Sequence, residues 1–108
     1  MLMNAHAFTI LAEPTRLQIL NELRGSECHV GQLIEALGLT QPMISKHLKV
    51  LRDAGFVRSR ADAQRRIYQI EPAPFQAFDE WLEPYRQLWT KHLDALERHL
   101  DEQEKTHD

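Results

Sequence analysis

Cysteine is all but absent from this 108-residue chain, and Cys28 stands alone. A single thiol excludes any disulfide within the chain. No run approaches the roughly 18 consecutive apolar residues of a membrane-spanning helix. The N-terminus also lacks the basic-then-apolar pattern of a secretory leader. With nothing pointing to an oxidising compartment, the expected location is cytoplasmic. No internal repeat and no low-complexity segment is present. Catalytic signatures are missing too: there is no phosphate-binding glycine loop, no pair of carboxylates in an apolar frame, and no evident base for the thiol. Neither an enzyme nor a cofactor is expected. What remains is ordinary for one domain, 43% apolar and 27% charged residues. Such a chain buries only a modest core, so pairing with a second copy would help it.

The net charge of -3 hides a segregation. Residues 41–66 carry Lys46, Lys49, Arg52, Arg58, Arg60, Arg65 and Arg66 against Asp53 and Asp62, a local balance of +5. Residues 71–108 hold ten acids and four bases. A basic block inside an acidic protein is the footprint of a polyanion-binding surface.

Periodicity gives a mainly α chain with one β-hairpin. A short helix is expected over 2–11, with Phe8 and Leu11 apolar. Pro14 opens a second helix, which carries Leu17, Ile19, Leu20 and Leu23 and stops near Gly25. A third covers 30–37, burying Leu33, Ile34 and Leu37 before Gly38. The fourth starts at an N-cap hydroxyl, Thr40, has Pro42 in its first turn, and ends at Gly55. At 100° per residue, Ile44, Leu48 and Leu51 share one face, and Pro42, Ser45, Lys46, Lys49 and Asp53 take the opposite one. Residues 56–60 and 65–70 flank a polar middle and predict a hairpin. Because that turn lacks glycine, a loop of more than two residues is expected.

A long helix follows over 74–103, with Pro84 inside it bending rather than breaking it. Phe75, Phe78, Trp81, Leu82, Tyr85, Leu88, Trp89, Leu93, Leu96 and Leu100 form one apolar stripe along it. The residues from 104 to 108 read as a frayed tail.

The third and fourth helices, joined by a tight glycine turn, have the form of a helix-turn-helix whose second helix enters the DNA major groove. The hairpin after it is the wing of a winged helix-turn-helix. Residues 12–71 then form a DNA-binding core, with 1–11 and 74–103 as dimerisation helices of a single domain. Gln41 and Ser45 are short enough to reach base edges, while Lys46 and Lys49 suit bases or phosphates. Thr40 and Pro42 sit beside them at the helix start. His47, at the edge of the buried face, could donate to phosphate or could pack. Arg58, Arg60, Arg65 and Arg66 on the wing are expected at phosphates or in the minor groove. A stripe holding two tryptophans is too large for a small winged-helix core to cover. Phe78, Leu82, Tyr85, Trp89, Leu93 and Leu96, with Phe8 beside them, are therefore expected to dimerise. Two-fold symmetry would set the recognition helices about 34 Å apart, matching successive major grooves.

Two runs carry a family resemblance. One is Leu11-Ala12-Glu13-Pro14-Thr15-Arg16-Leu17-Gln18-Ile19-Leu20. The other is Gln41-Pro42-Met43-Ile44-Ser45-Lys46-His47-Leu48-Lys49-Val50-Leu51-Arg52-Asp53-Ala54-Gly55-Phe56-Val57. Together with the hairpin that includes Arg65-Arg66-Ile67-Tyr68, they resemble the ArsR/SmtB family of bacterial winged-helix repressors over about residues 5–100. The resemblance implies a homodimer that represses an operon from a palindromic operator and, in many members, leaves it when an inducer binds.

The chain departs from the metal-sensing members of that family. Where those carry two cysteines one residue apart, the segment here is Cys28-His29-Val30-Gly31, with His29 and Gly31 at the paired positions. In the last helix His99 and Glu102 keep the spacing of half a metal site, but the position eleven before His99 is Leu88. No metal is expected on these grounds. His92 and His99, on the margin of the stripe, could still bind zinc or sense protons, or could simply be hydrogen-bonded interface residues. Cys28 reads either as a redox-sensing thiol or as an inert one. An effector-gated sensor of this fold, or a winged helix that binds protein, are the alternatives to a plain repressor.

Overall fold

The computed structural model describes residues 4–106. The helices are α1 (Ala5–Leu11), α2 (Pro14–Gly25), α3 (Val30–Leu37), α4 (Gln41–Asp53) and α5 (Pro72–Thr106), and the strands are β1 (Cys28–His29), β2 (Val57–Asp62) and β3 (Arg65–Ile70). The architecture is the expected mainly helical winged helix-turn-helix. Of the first helix as predicted, Leu2 and Met3 lie outside the described residues, and Asn4 caps the observed start by accepting the Ala7 N–H at 2.9 Å.

Local chemistry fixes the helix ends. The side chain of Glu13 caps α2 by accepting the Arg16 N–H at 2.8 Å, with proline in the first turn. The Nδ1 of His29 accepts the Gln32 N–H at 3.3 Å, while the Gln32 side chain accepts the His29 N–H at 2.9 Å, a reciprocal capping box for α3. Gly38 then takes φ +67°, a left-handed turn that a side chain would strain, and so redirects the chain into α4. The hydroxyl of Thr40 caps α4 by accepting the Met43 N–H at 3.4 Å.

Two expectations about the hairpin are corrected. The turn is two residues long, because Asp62 pairs with Arg65 across it, and Ala63 supplies the positive φ of +56° in place of glycine. The sheet also has a third strand: β1 pairs antiparallel with β3, Cys28 opposite Tyr68 and His29 opposite Ile67, giving the order β1-β3-β2. Two residues flanked by a helix start are too few for an alternation pattern to reveal.

Ile19, Leu33, Ile44, Leu48, Leu51 and Phe56 are the largest fully buried side chains. They close α2, α3 and α4 over the inner face of the sheet, where Cys28, Val57 and Tyr68 join the cluster. Burial of each aliphatic or aromatic side chain contributes about 1.5–3 kcal/mol. Leu33 is fully buried as expected, whereas Ile34 and Leu37 are only partly covered, at the edge of that core.

The last helix starts two residues before the expected 74 and runs three beyond 103, unbroken through Pro84. Residues 104–106, expected to fray, continue it, and His107 and Asp108 lie outside the described residues. Its base is held by ring contacts: Phe56 meets Phe75 at 5.7 Å, and Phe8 meets Phe78 at 5.6 Å and Trp81 at 5.2 Å. Past that point the stripe is bare, with Tyr85 55%, Leu88 63%, Trp89 61% and Leu100 59% exposed. The molecule is 71 × 30 × 22 Å, with a radius of gyration of 20.3 Å. A compact chain of this length would have about 13 Å. The excess length is α5.

Candidate nucleic-acid interface

Core packing orients α4. With Ile44, Leu48 and Leu51 at 0% exposure, the opposite face must point to solvent. Thr40, Gln41, Pro42, Ser45, Lys46 and Lys49 are all exposed there. Met43, 42% exposed, lies at the edge of that face. Thr40 is partly committed, since its hydroxyl caps the helix. Among the described residues no acid lies within 4 Å of Lys46 or Lys49, so neither is held in an ion pair there.

His47 is corrected. The structure turns it inward, at 9% exposure, where its Nδ1 lies 3.5 Å from an Arg16 guanidinium nitrogen and 3.6 Å from a Glu13 carboxylate oxygen. The Arg16 N–H bond holds the Glu13 carboxyl below its usual range, assisted by the charges of His47 and Arg16.

The wing arginines behave differently from the lysines. Opposed residues of an antiparallel pair share a face, so Arg58, Arg60 and Arg65 line the outer face of the sheet with Gln69, Ile67 and Asp62, while Arg66 lies on the other face with Ser59 and Tyr68. Arg60 pairs with Glu27 at 2.5 Å, Arg58 with Glu71 at 3.8 Å, and Arg65 with Asp62 at 3.9 Å; Arg66 donates to the Ser59 hydroxyl at 3.1 Å. With its amide nitrogen toward Glu27 and its oxygen toward Arg58, Gln69 bridges the first two pairs. Arg58 and Arg60 therefore brace the root of the wing, and Arg65 and Arg66 stand at its tip. Sequence reading missed Glu27, Glu71 and Gln69 as partners, although the period-2 alternation that puts Arg58 and Arg60 on one face was the available signal. Exposed pairs of this kind contribute only about 0–1 kcal/mol, so a phosphate can displace them.

No metal centre fits the remaining donors. Cys28 and His29 are neighbours on a strand and so face opposite sides of the sheet. The thiol is buried against the Ser26 carbonyl at 3.4 Å, and burial pushes its pKa up, away from the reactive thiolate. The His29 ring is spent on the α3 cap. A Cβ at position 31 would come within 2.9 Å of that ring, so a side chain there would push the ring from its present place in the cap. His99 meets the Gln103 amide at 3.2 Å, and His92 stacks on Trp89 at 5.9 Å. Among the described residues no three His, Cys, Asp or Glu side chains are grouped to hold a metal, and no helix is long and apolar enough to cross a membrane.

Residues 13–59 match the family described as Bacterial regulatory protein, arsR family. The chain is 34% identical over 95 residues to the HTH-type transcriptional regulator Rv2034 of Mycobacterium tuberculosis, covering 88% of this chain and 86% of that protein. A probable mercury resistance operon repressor of Streptomyces lividans is 36% identical over 66 residues, 61% of this chain and 53% of that repressor, so the match spans about half its length. Among solved structures, the crystal structure of an ArsR family transcriptional regulator, RHA00566, superposes with a TM-score of 0.65 at 32% identity, over 77% of this chain and 86% of that one.

Proposed function

The chain belongs to the arsR family of bacterial regulatory proteins, and from that premise we propose a homodimeric repressor that grips a palindromic operator with α4 and the wing tip. The observation that carries the reading is the exposed face of α4, where two lysines with no ion pair within the described residues stand beside Ser45 on a helix whose other face is fully packed. Gln41, Met43 and Ser45 are the side chains for base edges, Met43 offering apolar contact to a thymine methyl group. Lys46, Lys49, Arg65 and Arg66 supply cations for phosphates. Thr40 and Pro42 shape the helix start, and Arg58 and Arg60 hold the wing root from which its tip reaches out.

The second copy belongs on the bare stripe of α5. Tyr85, Trp89, Leu93 and Leu96 would pack against their symmetry mates, with Leu82, Phe78 and Phe8 at the base of the contact. The two recognition helices would then address major grooves one helical turn apart.

The test is a mobility shift on the DNA immediately upstream of the protein's own gene, repeated at increasing salt. Each phosphate contact contributes a slope of about -0.9 in log affinity against log salt. Binding that weakens with that slope, as two chains per duplex, supports the reading. Retention of no DNA, or affinity indifferent to salt, would overturn it.

A further inference from the structure

His47 is the one polar residue among the described residues that is buried in this protein. On α4 it occupies a position where its neighbours on the packed face, Ile44, Leu48 and Leu51, are all aliphatic. An aliphatic side chain would fill such a place without a polar group to satisfy, so packing alone does not account for an imidazole. Its partners give the reason. The Nδ1 faces Arg16 at 3.5 Å and Glu13 at 3.6 Å, both at the start of α2. The Nε of Arg16 donates to the Ile10 carbonyl at 2.7 Å, in the last turn of α1, and Glu13 accepts the Arg16 N–H at 2.8 Å. One cluster thus joins α1, α2 and α4. From α1 the chain of contacts continues through Phe8 to Phe78 and Trp81 on α5.

We propose that Glu13, Arg16 and His47 are positioning residues that fix the rotation of the recognition helix on α1 and α2, so that base-specific binding depends on a cluster that never touches DNA. This rests on the DNA-binding reading above. Aliphatic packing is non-directional, and a helix held by it alone can settle at several nearby rotations. Hydrogen bonds are directional, and one between the ring and α2 selects a single rotation. Ser45 and Lys46 immediately precede His47 and turn with it. A small rotation moves a short side chain such as Ser45 off a base edge, yet leaves a long lysine able to follow a phosphate. Loss of the cluster therefore costs discrimination between sequences and spares non-specific affinity. Because the cluster also holds the end of α1, the helix packed on the base of α5, rearrangement at the proposed dimer contact reaches α4 by this route.

The experiment uses the full chain and two duplexes of about 30 base pairs: one enriched by the wild-type protein from a randomised pool, and one scrambled to the same composition. His47→Leu restores aliphatic packing, and His47→Asn keeps an oxygen and an N–H close to the position of Nδ1. Glu13→Gln keeps the helix cap but removes the charge. The expected result is that His47→Leu melts no lower than wild type, loses at least 10-fold in affinity for the enriched duplex, and holds the scrambled one as tightly as before. His47→Asn should recover to within about threefold of wild type, and Glu13→Gln should fall between the two. If His47→Leu does not fold, the ratio of enriched to scrambled affinity in Glu13→Gln decides. Equal losses on both duplexes, or no loss on either, would overturn the positioning role. A wild-type protein that enriches no duplex would instead sink the DNA-binding reading itself, a separate outcome.

Discussion

Leu48 and Leu93 are the same residue on two helices of one chain, yet the first is 0% exposed and the second 45%. Around Leu48, in the winged-helix body, the apolar faces of α2, α3, α4 and the sheet close on one another and leave a polar exterior. Around Leu93, the far part of α5 repeats the same residue types at the same helical spacing with nothing over them. Both regions obey one rule of amphipathic patterning, and only the body can satisfy it from within. Helix α5 spans 35 residues, about 52 Å at 1.5 Å per residue, and outruns any body that residues 12–71 can build. The difference teaches that this sequence encodes one finished core and, along α5, an apolar face that the described residues do not cover.

That contrast can be broken first from the body side. Leu48→Ala leaves a cavity in a fully packed site, and chemical denaturation should show a loss of about 2–5 kcal/mol that does not vary with protein concentration. A loss below about 1 kcal/mol would mean that the core is looser than its burial indicates. On the other side, Leu93→Glu places a charge in the bare stripe. Sedimentation should show a dimer weakened at least 100-fold, while the body keeps its unfolding midpoint once measured as a monomer. A lowered midpoint in the monomer would place Leu93 in the body's own core.

A smaller effect separates the two cationic surfaces. Lys46→Ala with Lys49→Ala should lower DNA affinity and flatten its salt slope by about 0.9 for each phosphate that the variant no longer neutralises, with dimer mass unchanged. Dissociation into single chains would mean that the interface has been misplaced. The smallest effect sharpens the wing. Ala63→Gly relieves the positive φ of the two-residue turn and should stabilise the body by about 0.5–1 kcal/mol in a thermal melt. A destabilised wing would show that Ala63 is held there without strain.

Much of the body is legible in the sequence because its signals are redundant. Pro14 and Thr40 mark helix starts, Gly38 a helix stop, and Ile44, Leu48 and Leu51 the packed face of α4, and each is a local rule that tertiary packing reinforces. Lys46 and Lys49 follow from that face as the residues opposite it. The misses share a different origin. A two-residue β1 has no period to read. Ala63 takes a conformation that composition argues against, because strand pairing over-determines the turn. His47 stays undecided between phosphate contact and packing until Glu13 and Arg16, 34 and 31 positions earlier in the chain, are seen to be its partners. The wing arginines likewise read as free cations, because Glu27 and Glu71 come to them only through the sheet. Partner identity across the fold is what a single sequence does not display.

The claim on which the rest depends is that the bare stripe of α5 is one half of a symmetric contact. Sedimentation equilibrium of the wild-type protein across micromolar concentrations, without DNA, tests it most directly. The account predicts twice the chain mass throughout that range. A single-chain mass would contradict it and leave the apolar face of α5 without an occupant.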